Sequence, residues 1–128
     1  FDSAGLMIPS GIPLEMSKVF TNYLRFSRSA QEVDRFYKIY DHKERLILEI
    51  VLEAYLNNAV LGVLDLVLIE GIASQATLHS VMKALVTKKL IKTEVSKQDG
   101  RRKHVLPTKL GLAWLKDTSD LFSSSLKR

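Results

Sequence analysis

Apolar residues recur along the chain with two rhythms, one helical and one alternating. Met16, Val19, Phe20, Tyr23 and Leu24 fall at i, i+3, i+4, i+7 and i+8, one face of a helix. A polar patch from Ser27 to Glu32 interrupts the stripe, which resumes with the same spacing at Val33, Phe36, Tyr37 and Tyr40. The spacing predicts one long helix with a bend near Ser27–Ser29, or two collinear helices, over residues 14–40. Pro13 suits a helix start, where its missing N–H costs nothing. Residues 1–13, with Gly5, Pro9, Gly11 and Pro13, read as an irregular arm.

Asp41 precedes Glu44 by three residues, the spacing of a capping box with Asp in the place of Ser or Thr. The helix it opens turns Leu46, Ile47, Ile50, Val51 and Ala54 inward and ends near Asn57–Asn58. A short apolar helix follows over Leu61–Ile69, then a turn at Gly71. Ser74 is placed to cap the next helix through the amide of Thr77 or of the residue before it. That helix runs from Gln75 to about Lys89. Leu78, Val81, Met82 and Leu85 form its buried stripe, and Ala76, His79, Ser80, Lys83 and Thr87 its open face.

The rhythm then changes. In Leu90–Val95, β-branched Ile91, Thr93 and Val95 alternate with charged residues, a strand pattern. The loop Ser96–Arg102 holds Asp99-Gly100, a hairpin-turn pair. Lys103–Leu106 returns as the second strand, and Pro107 ends it at an edge. Thr108 is placed to cap a last helix. Leu112, Leu115 and Phe122 mark one face of it, and Leu110, Trp114 and Leu121 a neighbouring face. The fold class is mainly α with a small β part (α+β): a winged helix-turn-helix with helices at both ends. Residues 41–107 form the core, and residues 14–40 and 108–126 the flanking helices of a single domain.

Charge sharpens this picture. The 128 residues carry 19 Lys+Arg and 14 Asp+Glu. Residues 1–64 net −1 and residues 65–128 net +6; the window 74–109 alone nets +7. A focused basic zone is the footprint of a polyanion partner. The absence of Cys excludes thiol catalysis, disulfides and cysteine-ligated zinc, and is compatible with a cytoplasmic protein. The most apolar region, Leu46–Ala73, has no uncharged run longer than 11 residues, against the roughly 20 that a bilayer span needs. No membrane partner is expected. His42, His79 and His104 are scattered without ligand spacing, so neither metal nor cofactor is expected. The glycines are isolated, and His79 and Ser80 are helical neighbours that do not face each other. No catalytic constellation is legible.

A helix pair with a basic-tipped hairpin fits duplex DNA. Small polar side chains let the helix 75–89 enter a major groove, with its amino end on a phosphate. The candidate contacts there are Ser74, Gln75, Ala76, Thr77, His79, Ser80 and Lys83. The wing 90–107 offers Lys97, Arg101, Arg102 and Lys103 to the minor groove and its phosphates. Arg101 has two open roles, insertion into the groove or an ion pair with Asp99. Met16, Phe20, Tyr23 and Leu24 at one end and Trp114, Leu115, Leu121 and Phe122 at the other are the candidate dimer interface. The expected partner is a pseudo-palindromic duplex bound by a homodimer.

The stretch Thr77–Ile91, with Asp99, Arg101, Thr108 and Gly111 at fixed offsets, resembles the multiple antibiotic resistance regulator (MarR) family of bacterial transcription factors. Two features depart from that pattern: Pro107 where the family has Leu, and a turn over Gly71–Thr77 one residue longer. The resemblance implies a dimeric DNA-binding regulator, a repressor in the first instance, with a small-molecule effector as a further partner class. Two other readings stay open: a winged-helix module that binds protein, and a replication or plasmid-maintenance initiator.

Overall fold

The computed structural model describes residue 11 and residues 13–127; the arm expected over 1–13 therefore lies almost wholly outside the described residues. α1 spans Leu14–Phe36 as one uninterrupted helix, so the polar patch at Ser27–Glu32 is a change of face within it. Pro13 is its N-cap and accepts the Ser17 amide (3.2 Å). The helix stops four residues short of the expected Tyr40. Lys38 takes a left-handed conformation (φ 64°), and the Ile39 amide turns back onto the Asp34 carbonyl (2.8 Å). This reversal sends Ile39 into the core and leaves Phe36 and Tyr40 79% and 73% exposed. The stripe read through Phe36 and Tyr40 is thus broken, and Tyr37 is its one fully buried member.

α2 spans His42–Leu56. Asp41 caps it by accepting from the Lys43 amide (2.8 Å), but Glu44 does not complete a capping box. Its carboxylate is buried and receives Lys88 Nζ on both oxygens (2.5 Å each). Ile47, Leu48, Val51 and Leu52 form the buried face; Leu46, Ile50 and Ala54, expected there, lie half-buried at its margin. α3 is a single turn, Val63–Val67, shorter than the expected 61–69. Gly71 (φ 88°) makes the turn into α4, Gln75–Thr87. Leu78, Val81, Met82 and Leu85 of α4 are buried as their spacing requires.

β1 (Ile91–Val95) and β2 (Lys103–Pro107) pair antiparallel, with Ile91 opposite Pro107 and Val95 opposite Lys103. A one-residue bridge between Gly62 and His104, with the Val105 amide on the Leu61 carbonyl (2.8 Å), ties the wing to the start of α3. α5 spans Lys109–Leu126. Thr108 caps it by accepting the Gly111 amide (3.1 Å), while its own hydroxyl points at the Lys89 and Leu90 carbonyls (2.6 and 3.1 Å). Gly111 is required here, because a Cβ would sit 2.3 Å from the Leu90 carbonyl oxygen. Two of the four residues in the wing pattern therefore fasten the hairpin base to α5.

α1 and α5 pack antiparallel, with Phe26 edge-on to Phe122 (5.7 Å) at one end and Asp34 against Trp114 at the other. Trp114, expected on a dimer face, is only 1% exposed, and its indole N–H donates to Asp34 Oδ1 (2.8 Å). It belongs to the protomer's own core: the indole is the largest fully buried side chain, and its one polar atom is already paired. Burial pushes the Asp34 carboxyl above the usual carboxylate range, opposed by the Trp114 hydrogen bond and by Arg45 (4.0 Å). One turn along, Tyr37 donates its hydroxyl to Asp117 (2.6 Å); that bond and burial push the phenol up to about 12.

Candidate nucleic-acid interface

The amino end of α4 is built from short side chains. Ser74 accepts the Thr77 amide (3.2 Å) and donates to Thr77 Oγ1 (3.0 Å). Its hydroxyl is consumed by capping, so an anion at this end would meet backbone amides instead. No acidic residue occupies the first turn to repel one. Gln75 and Ala76 are exposed and Thr77 is half-buried. His79, Ser80 and Lys83 follow on the exposed face. Ser80 donates its proton to the Ala76 carbonyl (3.1 Å), which leaves its oxygen to act as an acceptor.

The wing stands across from this face. An open cavity of about 480 Å3 is lined by His79, Met82, Lys83 and Thr87 of α4, by Val63 of α3, and by Thr93 and Lys103 of the hairpin. Three of the sequence-derived candidates, His79, Lys83 and Lys103, thus share one concavity although up to 24 positions separate them. Lys97, Arg101 and Arg102 lie on the hairpin loop, all exposed. The loop is held by its own backbone: Ser96 and Arg102 pair (2.8 Å), and Ser96 Oγ accepts the amides of Gln98 and Asp99 (3.2 Å each). Asp99 accepts the backbone amide of Arg101 (3.0 Å). Of the two roles open to Arg101, the ion pair with Asp99 is not the one formed. Asp99 shapes the loop through the main chain, and the guanidinium is left in solvent.

Two of the basic residues in the 74–109 window are already spoken for. Lys92 pairs with Glu94 (3.1 Å), and Lys88 is turned inward onto Glu44, with Tyr40 5.5 Å below its ammonium. No other cation of the window has an ion pair among the described residues. The Glu44–Lys88 pair joins residues 44 apart in sequence, and no spacing rule could have found it. Among the described residues no cluster of His, Cys, Asp and Glu could hold a metal, and no helix is long and apolar enough to cross a membrane.

No family model matches the chain, and no curated protein is similar to it in sequence. Solved structures are similar in fold. An S. aureus MepR–DNA complex superposes with a TM-score of 0.69 at 19% identity, over 82% of this chain and 75% of MepR. S. aureus MepR bound to ethidium bromide gives 0.57 at 20% identity, over 82% and 75%. A Bacillus cereus protein assigned as a MarR-like transcription regulator gives 0.51 at 17%, over 88% and 76%. The helix pair, the hairpin wing and the two long flanking helices are accordingly the winged helix-turn-helix fold, in the arrangement that these MarR-like and MepR structures share with this chain.

Proposed function

We propose that the protein is a homodimeric, sequence-specific regulator that binds double-stranded DNA, with α4 in the major groove and the wing over the adjacent minor groove. One observation carries this reading. The open face of α4 and Lys103 at the base of the wing share one concavity, and among the described residues no carboxylate forms an ion pair with Lys83, Lys97, Arg101, Arg102 or Lys103. Gln75, His79 and Lys83 are the base-reading candidates, and Ser80 serves as an acceptor. Arg102 and Lys103 hold phosphates, and Arg101 enters the narrow groove.

The dimer rests on α1. Met16, Phe20, Tyr23 and Leu24 are 47% to 62% exposed on one face, more apolar surface than a free helix leaves in water. Leu115 and Leu121 are half-buried against their own chain and would flank the interface, with Phe122 beside them. A two-fold dimer presents its two recognition helices about 34–36 Å apart and selects a pseudo-palindrome. Repression follows from occupancy of such a site. An effector has a candidate seat in the cavity of about 300 Å3 where α1 meets α2, lined by Gln31, Asp34, Tyr40, His42 and Arg45.

The test is a set of isotherms on a duplex selected from a random pool and on a scrambled control. His79→Ala or Gln75→Ala should cost about 1–3 kcal/mol on the selected duplex and far less on the control. Arg102→Ala should weaken both alike and flatten the log–log salt slope by about one per contact. Equal losses for helix and wing variants on both duplexes would overturn the division of roles. No salt-dependent binding to any duplex would overturn the function.

A further inference from the structure

A second groove adjoins the cavity described above and shares Val63 and Lys103 with it. It encloses about 430 Å3 between the start of α3 and the hairpin. Val60, Val63 and Leu64 form one wall, and Arg101, Arg102 and Lys103 the other. Val60 and Leu64 are 71% and 69% exposed; Leu68, one helical turn beyond Leu64, is 54% exposed. The one carboxylate in the groove, Asp65, is turned back onto the Gly62 amide (2.9 Å) and does not neutralise the wing. An apolar strip thus lies open beside a row of free cations. A DNA backbone would satisfy the cations and leave the strip wet. A lone inorganic anion would do the same.

We infer that this α3–wing groove docks an acidic, leucine-rich peptide segment of a partner protein. Such a segment carries both halves of the complement: apolar side chains for Val60, Leu64 and Leu68, and carboxylates for Arg101, Arg102 and Lys103. Leu68 lies outside the groove's lining, about 6 Å from Leu64 along the helix axis, and an apolar strip that runs on past the groove suits a chain rather than a compact ligand. The three cations close the hairpin loop and open β2, and all three line the groove, so they can meet more than one carboxylate of a peptide. Docking occupies the guanidiniums that the wing offers to DNA, so peptide and duplex exclude each other. This last clause rests on the proposed DNA-binding function.

The test uses the full chain, 15N-labelled, without DNA, and three short blocked peptides: alternating Glu and Leu, Glu and Ser, and Gln and Leu. The Glu–Leu peptide should bind about tenfold or more tighter than either control, a difference of about 1.4 kcal/mol. Amide shifts should map to residues 60–68 and 101–104. Leu64→Gln and Val60→Ser, both at exposed positions, should each weaken the peptide about fivefold and leave duplex affinity unchanged. Equal binding of the Glu–Ser peptide would reduce the groove to plain charge attraction and overturn the proposal. Shifts centred on α4, or indifference to both variants, would overturn it as well. Loss of duplex binding with the peptide result intact would remove only the competition and the DNA reading. Loss of peptide binding with duplex binding intact would remove only this groove.

Discussion

The apolar stripe of α4 and that of α1 are written in the same code and have opposite fates. Leu78, Val81, Met82 and Leu85 recur at helical spacing and are all buried within the chain. Met16, Phe20, Tyr23 and Leu24 recur at the same spacing and lie about half or more exposed. The difference is not in the residues, since the α1 stripe is if anything bulkier. It lies in what is packed opposite. α4 has α2, α3 and β1 around it, whereas α1 meets α5, and the Met16–Leu24 stripe stays uncovered by it. Amphipathicity announces that a face wants cover and says nothing about whether the cover comes from the same chain.

The largest effect that would sharpen the comparison lies under α4. Lys88→Met leaves the Glu44 carboxylate buried without a partner and should cost about 3–5 kcal/mol in urea unfolding. Glu44→Gln in the same background should recover much of it, because the neutral amide can stay buried. A loss that Glu44→Gln does not relieve would mean that the pair is not the linkage between α2 and α4. Next comes the contrast between the stripes. Leu78→Ala should cost about 2–5 kcal/mol at any protein concentration. Phe20→Ser with Tyr23→Ser should leave the monomer within about 0.5 kcal/mol of wild type. It should abolish the concentration dependence of Tm that a dimer shows. Sedimentation finding wild type and variant equally monomeric would break the comparison by removing the partner copy.

The smallest effect concerns the joint between the two regions. Asp34→Ala strands the buried Trp114 indole N–H and should cost about 1–3 kcal/mol. Asp34→Asn keeps an acceptor in place and should cost less. The sign of its pH dependence follows from the raised pKa. The folded state holds the Asp34 proton more tightly than the unfolded state, so this group's contribution falls as pH rises from about 3.8 through the raised value. The variant lacks that loss and should gain on wild type across the same window, as chemical denaturation at successive pH values will report. A gain in the opposite direction would mean that the Trp114 hydrogen bond and the Arg45 attraction together outweigh burial.

Much of the region from Ser74 to Gly111 was legible in the sequence. The Ser74 cap, the buried stripe of α4, the β1–β2 hairpin and the Thr108 cap all stand where local spacing puts them. Each is a short-range feature, decided by neighbours within about four positions or by a strand pattern of period two. Local chemistry also reached the wing cations and the open face of α4. It failed where the outcome depends on a distant partner. Glu44 had the spacing of a capping box and found Lys88 instead, because a buried carboxylate gains more from a cation than from an amide at a solvated helix end. Trp114 was expected on a docking face and is drawn inward by Asp34, and Tyr37, on the stripe that continues α1, is held by Asp117, each partner 80 positions away. Lys38, with no sequence signal for a left-handed turn, ended α1 early and decided that Ile39 rather than Tyr40 would face the core.

What the sequence determined by itself is therefore the set of elements, their caps and the positive sign of the wing, because these depend on backbone sterics, on periodicity and on a count of charges. What only the tertiary structure decided is which faces are covered and which charges are free. Those depend on pairs distant in sequence, whose energies no local window contains. Lys88 and Arg102 look alike in the sequence as members of one basic run. The fold turns the first onto the buried Glu44 and leaves the second exposed and without an ion pair among the described residues.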